Sequence, residues 1–145
     1  MEKLNFSINI NAPRGKVWNV LFDDTTYRKW TAVFAPGSYA ETDWKEGSKA
    51  LFLDGKGNGM VSRVAKSAPN EFLSLEHLGI VKDGKEDTES EAVKGWAGAR
   101  ENYTLKEIGG VTELKVDMDS DDEFKDYFAK TWPKALDKVK ELSEK

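Results

Sequence analysis

Acid–base chemistry in this 145-residue chain depends on very few side chains. His77 is the only histidine, and strand alternation places it on the same face as Leu73 and Leu75. If that face lines a groove, the imidazole could orient a ligand or transfer a proton. The alternative is a core histidine whose hydrogen bonds are satisfied within the protein. Both interpretations stay open at this stage.

The next predicted strand carries a carboxylate in an unusual position. Alternation gives one face of this strand the residues Ala97, Ala99, Glu101, Tyr103 and Leu105. Placing Tyr103 and Leu105 inward forces Glu101 inward too, which is costly unless the carboxylate is paired. A ligand, His77 or a β-bulge could each resolve this cost. Glu101 and His77 are therefore the only catalytic candidates, and both are weak. The small side chains of Ala97 and Ala99 would leave room in a groove.

The sequence lacks the residues that other common types of catalytic or metal site require. There is no cysteine and no Gly-x-Ser-x-Gly motif, so thiolate metal sites and serine-type catalysis are excluded. The segment 55–59 resembles a glycine loop but is better interpreted as a hairpin turn, since no helix follows. The acidic run 117–122 lacks the glycine and glutamate that a calcium loop requires. We expect no metal and no cofactor.

The composition and the charge of the chain limit the kinds of partner that we expect. A net charge of −4 with scattered basic residues does not favour nucleic acid. No stretch approaches the length of a membrane span, and the N-terminal region lacks a signal-peptide pattern, so we expect a cytoplasmic protein without membrane insertion. At this length and apolar content we expect one domain over residues 1–145.

The secondary-structure elements that position these side chains can be predicted from the pattern of apolar and turn residues. Strict period-two alternation predicts a strand at 4–11, and 3.6-residue periodicity predicts short helices at 14–22 and 24–30. Turn residues then separate strands at 38–41, 48–53, 60–66, 72–81, 96–107 and 111–118. The polar segment 82–94 is interpreted as a mobile loop. Consecutive hairpins imply an antiparallel sheet and hence an α+β fold.

A long amphipathic helix is predicted at 121–143 from apolar residues that recur every three or four positions. Ser120 and Glu123 have the spacing of a capping box. The aromatic half of the helix should stand farther from the sheet than the aliphatic half. The predicted ligand-binding residues are those expected between helix and sheet: Trp132, Phe128, Ala97, Ala99, Glu101, Tyr103, His77 and Leu75. Trp18, Trp30 and Trp96 could form a ligand cage with Trp132, but aromatic residues at helical spacing are more often core.

Several short motifs, taken together in order, resemble a known family. They are Val17-Trp18, Trp30, Phe34-Ala-Pro-Gly37, Asp43-Trp44-Lys-Glu-Gly47, Pro69, Tyr103-Thr-Leu105, Gly109-Gly110-Val-Thr112 and Trp132-Pro-Lys-Ala-Leu136. The chain resembles the homologues of the activator of heat-shock-protein-ninety ATPase, in the SRPBCC (START-like, Bet v 1-like) superfamily. The resemblance implies a helix-grip fold: a curved antiparallel sheet of six to seven strands around the C-terminal helix, with two short helices after the first strand.

The resemblance also implies a cavity that takes small hydrophobic ligands, and it leaves three functions open. The first, which we favour, is a non-enzymatic protein that binds a small apolar or amphipathic molecule. The second is a cyclase- or hydrolase-type enzyme using Glu101 and His77. The third is a chaperone co-factor or protein-interaction module, in which a chaperone or another protein is the partner. The chaperone activators add a separate N-terminal domain, which argues against direct activation by this chain.

Overall fold

The computed structural model describes residues 2–145 as an antiparallel sheet with four helices. The strands are β1 (Glu2–Ile10), β2 (Tyr39–Glu41), β3 (Lys49–Leu53), β4 (Gly59–Ala68), β5 (Phe72–Lys82), β6 (Lys85–Asp87), β7 (Ala99–Ile108) and β8 (Val111–Ser120). The helices are α1 (Arg14–Phe22), α2 (Asp24–Thr31), α3 (Glu91–Lys94) and α4 (Asp122–Ser143). None of the helices within residues 2–145 combines the length and apolar character needed to cross a membrane.

The sheet follows the order β1-β8-β7-β5-β4-β3-β2, and β6 pairs with β5 off this path. All pairings are antiparallel, which confirms the predicted α+β class and the helix-grip fold. β1 lies at one edge and pairs with β8 along its whole length, from Glu2 opposite Ser120 to Ile10 opposite Thr112. The sheet has eight strands where six to seven were expected, because the three-residue β6 was not anticipated.

Helix α4 divides into two halves that pack differently. Its C-terminal half buries Leu136, Val139 and Leu142 in the core, and Val139 is fully inaccessible. Its N-terminal half leaves Phe124 and Tyr127 about half exposed. The predicted capping box is wrong: Ser120 ends β8 instead, its hydroxyl donates to the carbonyl of Asp121, and Asp121 is the residue that precedes the helix. The aliphatic half therefore fixes the helix in the core, and the first turns of the aromatic half are partly exposed.

The short helices α1 and α2 close one end of the sheet. The indole N–H of Trp30 in α2 donates to the carbonyl of Leu21 in α1 over 3.1 Å, which fixes the angle between the helices. Val17 and Leu21 are fully buried in the core, and Trp30 is 1% exposed. Trp30 lies 6.0 Å, ring centre to ring centre, from Trp132 of α4. The two short helices thus meet the aromatic half of α4 above the sheet.

The segment 82–94 is ordered into elements, contrary to the mobile loop that we expected. Asp83 and Gly84 both have positive φ angles, of 52° and 78°, and form the tight turn of the β5–β6 hairpin. Asp-Gly at such a turn is a strong hairpin signal, because both central residues must adopt left-handed backbone angles. The Asp87 carboxylate then accepts hydrogen bonds from the backbone N–H groups of Glu89 and Ser90 just before α3. The Asp83-Gly84 pair therefore indicates a hairpin in the sequence itself, whereas the many polar residues around it favour a loop.

Strand β7 begins at Ala99 rather than at Trp96. Residues 96–98 form a turn in which Gly98 has a φ of 94° and donates its N–H to the carbonyl of His77 over 2.8 Å. A left-handed residue breaks strand alternation, because the residues on its two sides no longer share a face. Ala97 is consequently exposed, whereas Ala99 is buried.

Candidate ligand-binding cavity

A cavity of about 640 Å³ lies between the sheet, α2 and the N-terminal half of α4. This volume is within the range of pockets that hold small organic molecules. On the helix side, the cavity wall includes Trp30, Phe34 and Trp132. On the sheet side, it includes Phe52 and Ala99. The half of α4 that lines the cavity is its aromatic half, which contributes Phe124, Tyr127, Phe128 and Trp132.

Aromatic rings make up most of the cavity wall and pack in defined pairs. Trp132 lies edge-on to Phe34 with ring centres 4.9 Å apart and stacks on Phe6 at 6.0 Å. Its indole N–H points to the sulfur of Met118 at 3.0 Å, so the polar atom of this buried ring is occupied. Such edge-to-face pairs hold the rings in fixed orientations. The wall is therefore a preformed apolar surface rather than a collapsed core.

A chain of four polar side chains crosses the sheet at the floor of the cavity. The hydroxyl of Ser62 lies 2.6 Å from Nδ1 of His77, and Nε2 of His77 lies 3.2 Å from Oε1 of Glu101. The Tyr103 hydroxyl donates to Oε2 of the same carboxylate. The side chain of Glu101 keeps 17% of its surface accessible from the cavity. The carboxylate is thus paired inside the protein and still available to a bound molecule.

The register of the sheet brings these four residues together. Ser62 on β4 is directly opposite His77 on β5, and His77 is opposite Ala99, two residues before Glu101 on β7. Between Val61 and Ser62 the pairing with β5 shifts by one residue, which is a β-bulge at Leu78. The bulge turns His77 and Ile80 toward the same cavity. Regular alternation would have separated them.

The electrostatic environment keeps Glu101 ionised. Burial alone raises the pKa of its carboxyl, but the hydrogen bond and charge of His77 and the hydrogen bond from Tyr103 outweigh it and hold the pKa below its ordinary value. Burial and the neighbouring Glu101 charge raise the pKa of both Tyr103 and Tyr27. The two tyrosines therefore remain neutral hydrogen-bond donors beside an anion.

Phe124 and Tyr127 line the cavity and are about half exposed, so the cavity reaches solvent beside the start of α4. The Tyr127 hydroxyl donates to the carbonyl of Phe34 over 2.8 Å and bridges this opening. Phe124, Tyr127 and Phe128 form a row of rings along its edge, with Phe128 only 5.3 Å from Tyr127. The row and the bridging hydrogen bond make this the entrance of the cavity.

The structure places six of the eight predicted binding residues at the cavity wall: Trp132, Phe128, Ala99, Glu101, Tyr103 and His77. Two predicted residues lie elsewhere. Ala97 is exposed on the turn before β7, because Gly98 breaks the alternation. Leu75 is 2% exposed and packs in the core opposite Glu101, away from the cavity wall. Contact of the six with a ligand remains a prediction.

Sequence reasoning missed several residues of the site. Ser62 carries no recognisable motif, and only the bulge brings its hydroxyl to His77. Trp30 was assigned to the core and is both buried and part of the wall; the half-buried Trp96 also lines the cavity. The other wall residues not predicted include Tyr27, Phe34, Tyr39, Phe52, Met60 and Ile80.

A second, shallower depression of about 430 Å³ lies on the other side of an aromatic layer. Trp18, Phe22 and Trp44 line it, so Trp18 belongs to this surface and not to the main cavity. Trp44 has a φ of 60°, which is unusual for a bulky residue, and it packs on Phe22 at 4.8 Å and on Tyr27 at 5.6 Å. One layer of rings separates the two spaces.

The curved antiparallel sheet, the long C-terminal helix and the cavity between them define a helix-grip protein of the SRPBCC, or Bet v 1-like, class. Residues 11–144 match the family described as activator of Hsp90 ATPase homolog 1-like protein. The chain belongs to this family, which confirms the resemblance drawn from the sequence. Proteins of this fold commonly bind ligands or act as chaperone co-factors.

Solved structures of low sequence identity share the whole architecture. Protein MLL2253 from Mesorhizobium loti is 14% identical with a TM-score of 0.76, over 97% of this chain and 96% of that one. The Aha1 dimer from Colwellia psychrerythraea is 19% identical with a TM-score of 0.72, over 99% and 97%. CalU16 from Micromonospora echinospora is 15% identical with a TM-score of 0.68, over 97% and 75%. A comparison with curated proteins found no match.

Proposed function

We propose that this protein binds a small, largely apolar molecule with one polar end in the cavity beneath α4. The observation that carries the proposal is the cavity itself: about 640 Å³ of space with aromatic walls and one polar floor. Well-packed interiors do not leave such volume, since voids of this size cost packing energy. Space kept open by fixed rings therefore supports a binding role.

The polar floor supports an amphipathic ligand in one orientation. The apolar body would pack on Trp132, Phe128 and Ala99, and the polar end would face Glu101 and Tyr103. A few convergent polar groups in an apolar pocket are what fixes the orientation of a bound molecule. The Glu101 side chain keeps 17% of its surface accessible, and its two oxygens have more acceptor positions than its two internal hydrogen bonds use.

Two measurements test the proposal. Mass spectrometry of small molecules released from gently purified protein should find a species bound in stoichiometric amount. Titration with the neutral dye Nile red should show saturable uptake, with a change in tryptophan fluorescence because Trp30, Trp96 and Trp132 line the wall. Protein that carries no released species and takes up no dye would contradict the binding role.

An enzyme is the second candidate, and the chain Ser62–His77–Glu101–Tyr103 favours it. An imidazole held between a hydroxyl and a carboxylate could transfer a proton to a substrate in the cavity. The enzyme interpretation predicts turnover that falls by about 100-fold or more in Glu101→Gln. Uptake without turnover, across hydrolysis and cyclisation assays on bound compounds, would leave the binding role alone.

Membership of the family supports a third use of the domain, as a chaperone co-factor. This function would act through the protein surface and not through the cavity. Co-purification with an Hsp90-type chaperone, unchanged when Ala99 is replaced by a residue that fills the cavity, would favour it. Loss of co-purification only when the entrance residue Phe124 is changed would instead connect the two roles.

A further inference from the structure

The ionisable groups that line the cavity are almost all acidic. Glu101 lies at the floor, and Asp54, Asp119 and Asp121 lie on the wall toward solvent. Among residues 2–145, no lysine or arginine lines the cavity, and His77 is its one basic side chain. A low-dielectric space with one sign of charge attracts the opposite charge and rejects its own. The cavity therefore differs from a site built to receive a carboxylate.

Cations close to the cavity are already paired outside it. Arg28 stacks on Tyr39 at 5.0 Å and forms a salt bridge with Asp24 on the surface of α2. The guanidinium of Arg100 bonds to Ser74 and approaches Glu76. Neither side chain lines the cavity, so neither offsets the charge of Glu101 inside it.

The hydrogen bonds of Glu101 leave the carboxylate short of donors. Its oxygens together offer about four acceptor positions, and the internal donors are His77 and Tyr103. Since a carboxylate only accepts, Nε2 of His77 carries a proton toward Glu101, and the Ser62 hydroxyl lies 2.6 Å from Nδ1 on the other side of the ring. Glu101 is the acidic group of this network, and it lies among the aromatic rings that line the cavity. A ligand that brings further N–H donors and a positive charge would complete it.

On this basis we propose that the cavity selects a lipophilic amine, bound as the ammonium at Glu101, over a carboxylic acid of the same chain length. The proposal rests on the proposed ligand-binding function and adds the chemical class of the ligand. The aromatic wall strengthens the preference, because the faces of indole and phenol rings attract cations. Tyr27, Trp30 and Trp132 are among the rings that line the cavity.

Three probes of equal chain length test the preference: decylamine, decanol and decanoic acid. Each would displace Nile red at about pH 7.5, where the amine is protonated and the acid ionised. We expect decylamine to bind at least about ten-fold more tightly than decanoic acid, with decanol between them. Equal or tighter binding of the acid overturns this inference and leaves the ligand-binding function standing. Absence of binding by all three, together with absence of Nile red uptake, overturns both.

The variant Glu101→Gln tests the source of the preference. It should reduce the affinity ratio of amine to alcohol to about one. The matched control is Asp137→Asn, which removes one carboxylate from the exposed outer face of α4 and should leave the ratio unchanged. If Glu101→Gln does not fold, Tyr103→Phe keeps the carboxylate, and the amine preference should persist. A ratio unchanged in Glu101→Gln, or lost in Tyr103→Phe, contradicts the assignment.

Discussion

Nε2 of His77 lies 3.2 Å from Oε1 of Glu101, across the pairing of β5 with β7. The two residues are diagonal neighbours on one face of the sheet, since His77 is opposite Ala99 and Glu101 is opposite Leu75. This contact resolves the cost of an inward carboxylate without a bulge in β7. It also makes Glu101 a charged group whose ionisation is coupled to the stability of the protein.

The first prediction concerns the stability of Glu101→Gln. At pH 7 we expect a loss of about 1–3 kcal/mol in the free energy of unfolding. Glutamine has one acceptor oxygen for the two donors, His77 and Tyr103, and its NH2 group would face the other donor without forming a hydrogen bond. The pKa of Glu101 in the folded protein is below its ordinary value of 4.5. The stabilisation by the ionised form is therefore present above about pH 4.5 and is lost as the pH falls through the folded pKa.

Urea unfolding at pH 7 and at about pH 3.5 checks this sign. The difference between the parent and Glu101→Gln should shrink at the lower pH. Other carboxylates with lowered pKa values, such as Asp54 and Asp87, titrate in both proteins and cancel in the comparison. A difference that grows on acidification would mean that Glu101 is neutral in the folded state.

The second prediction uses the two alanines on either side of Gly98. Ala99→Trp should abolish uptake of Nile red by filling the cavity, since Ala99 is buried at its wall. Ala97→Trp is the matched control and should bind normally, because Ala97 is exposed on the preceding turn. Dye titration of both variants, with circular dichroism to verify folding, makes the comparison. A folded Ala99→Trp protein that binds as the parent does would move the site away from this cavity.

The third prediction separates the halves of α4. Leu136→Ala should cost about 2–5 kcal/mol, because Leu136 is 2% exposed within the core. Phe124→Ala on the same helix should cost less than about 1 kcal/mol, because Phe124 is 48% exposed. Denaturant unfolding of both variants measures the two values. A loss below about 0.5 kcal/mol for Leu136→Ala would contradict the packing described for this half.

The fourth prediction concerns the entrance. Tyr127→Phe removes the hydroxyl that donates to the carbonyl of Phe34 and keeps the ring. One such hydrogen bond contributes about 0.5–1.5 kcal/mol, so opening should become about 2–10-fold easier. We expect association and dissociation rates of Nile red to rise together in stopped-flow measurements, with little change in Kd. A change in Kd without a change in rates would show that Tyr127 contacts the ligand instead of closing the entrance.

The sequence predicted the elements whose pattern is uninterrupted. β1 alternates without a break, and α1 begins and ends at the predicted residues. α4 was predicted to within one residue at its start. Errors fall where a single residue changes the pattern, as Gly98 does before β7 and Asp83-Gly84 does after β5. Asp83-Gly84 could have been recognised, whereas the φ of Gly98 could not be inferred from its neighbours.

The candidate site was predictable in its strands and less so in its details. Alternation alone placed Glu101, Tyr103 and Ala99 on one inward face, and all three line the cavity. Ser62 and Ile80 could not be found this way, because the bulge at Leu78 changes which residues of β5 face the helix. The rings contributed by Tyr27, Phe34 and Phe52 depend on how the loops and short helices pack over the sheet, which no local pattern encodes.

The division of α4 into a buried aliphatic half and an aromatic half that lines the cavity has a consequence for how sequence change would affect this protein. Substitutions near Phe124 or Phe128 reshape the cavity while Leu136 and Val139 continue to hold the helix on the core. New binding preferences can therefore arise without approaching the threshold at which the protein unfolds. The same backbone is shared with structures at 14% to 19% identity, so the fold itself accommodates extensive sequence change.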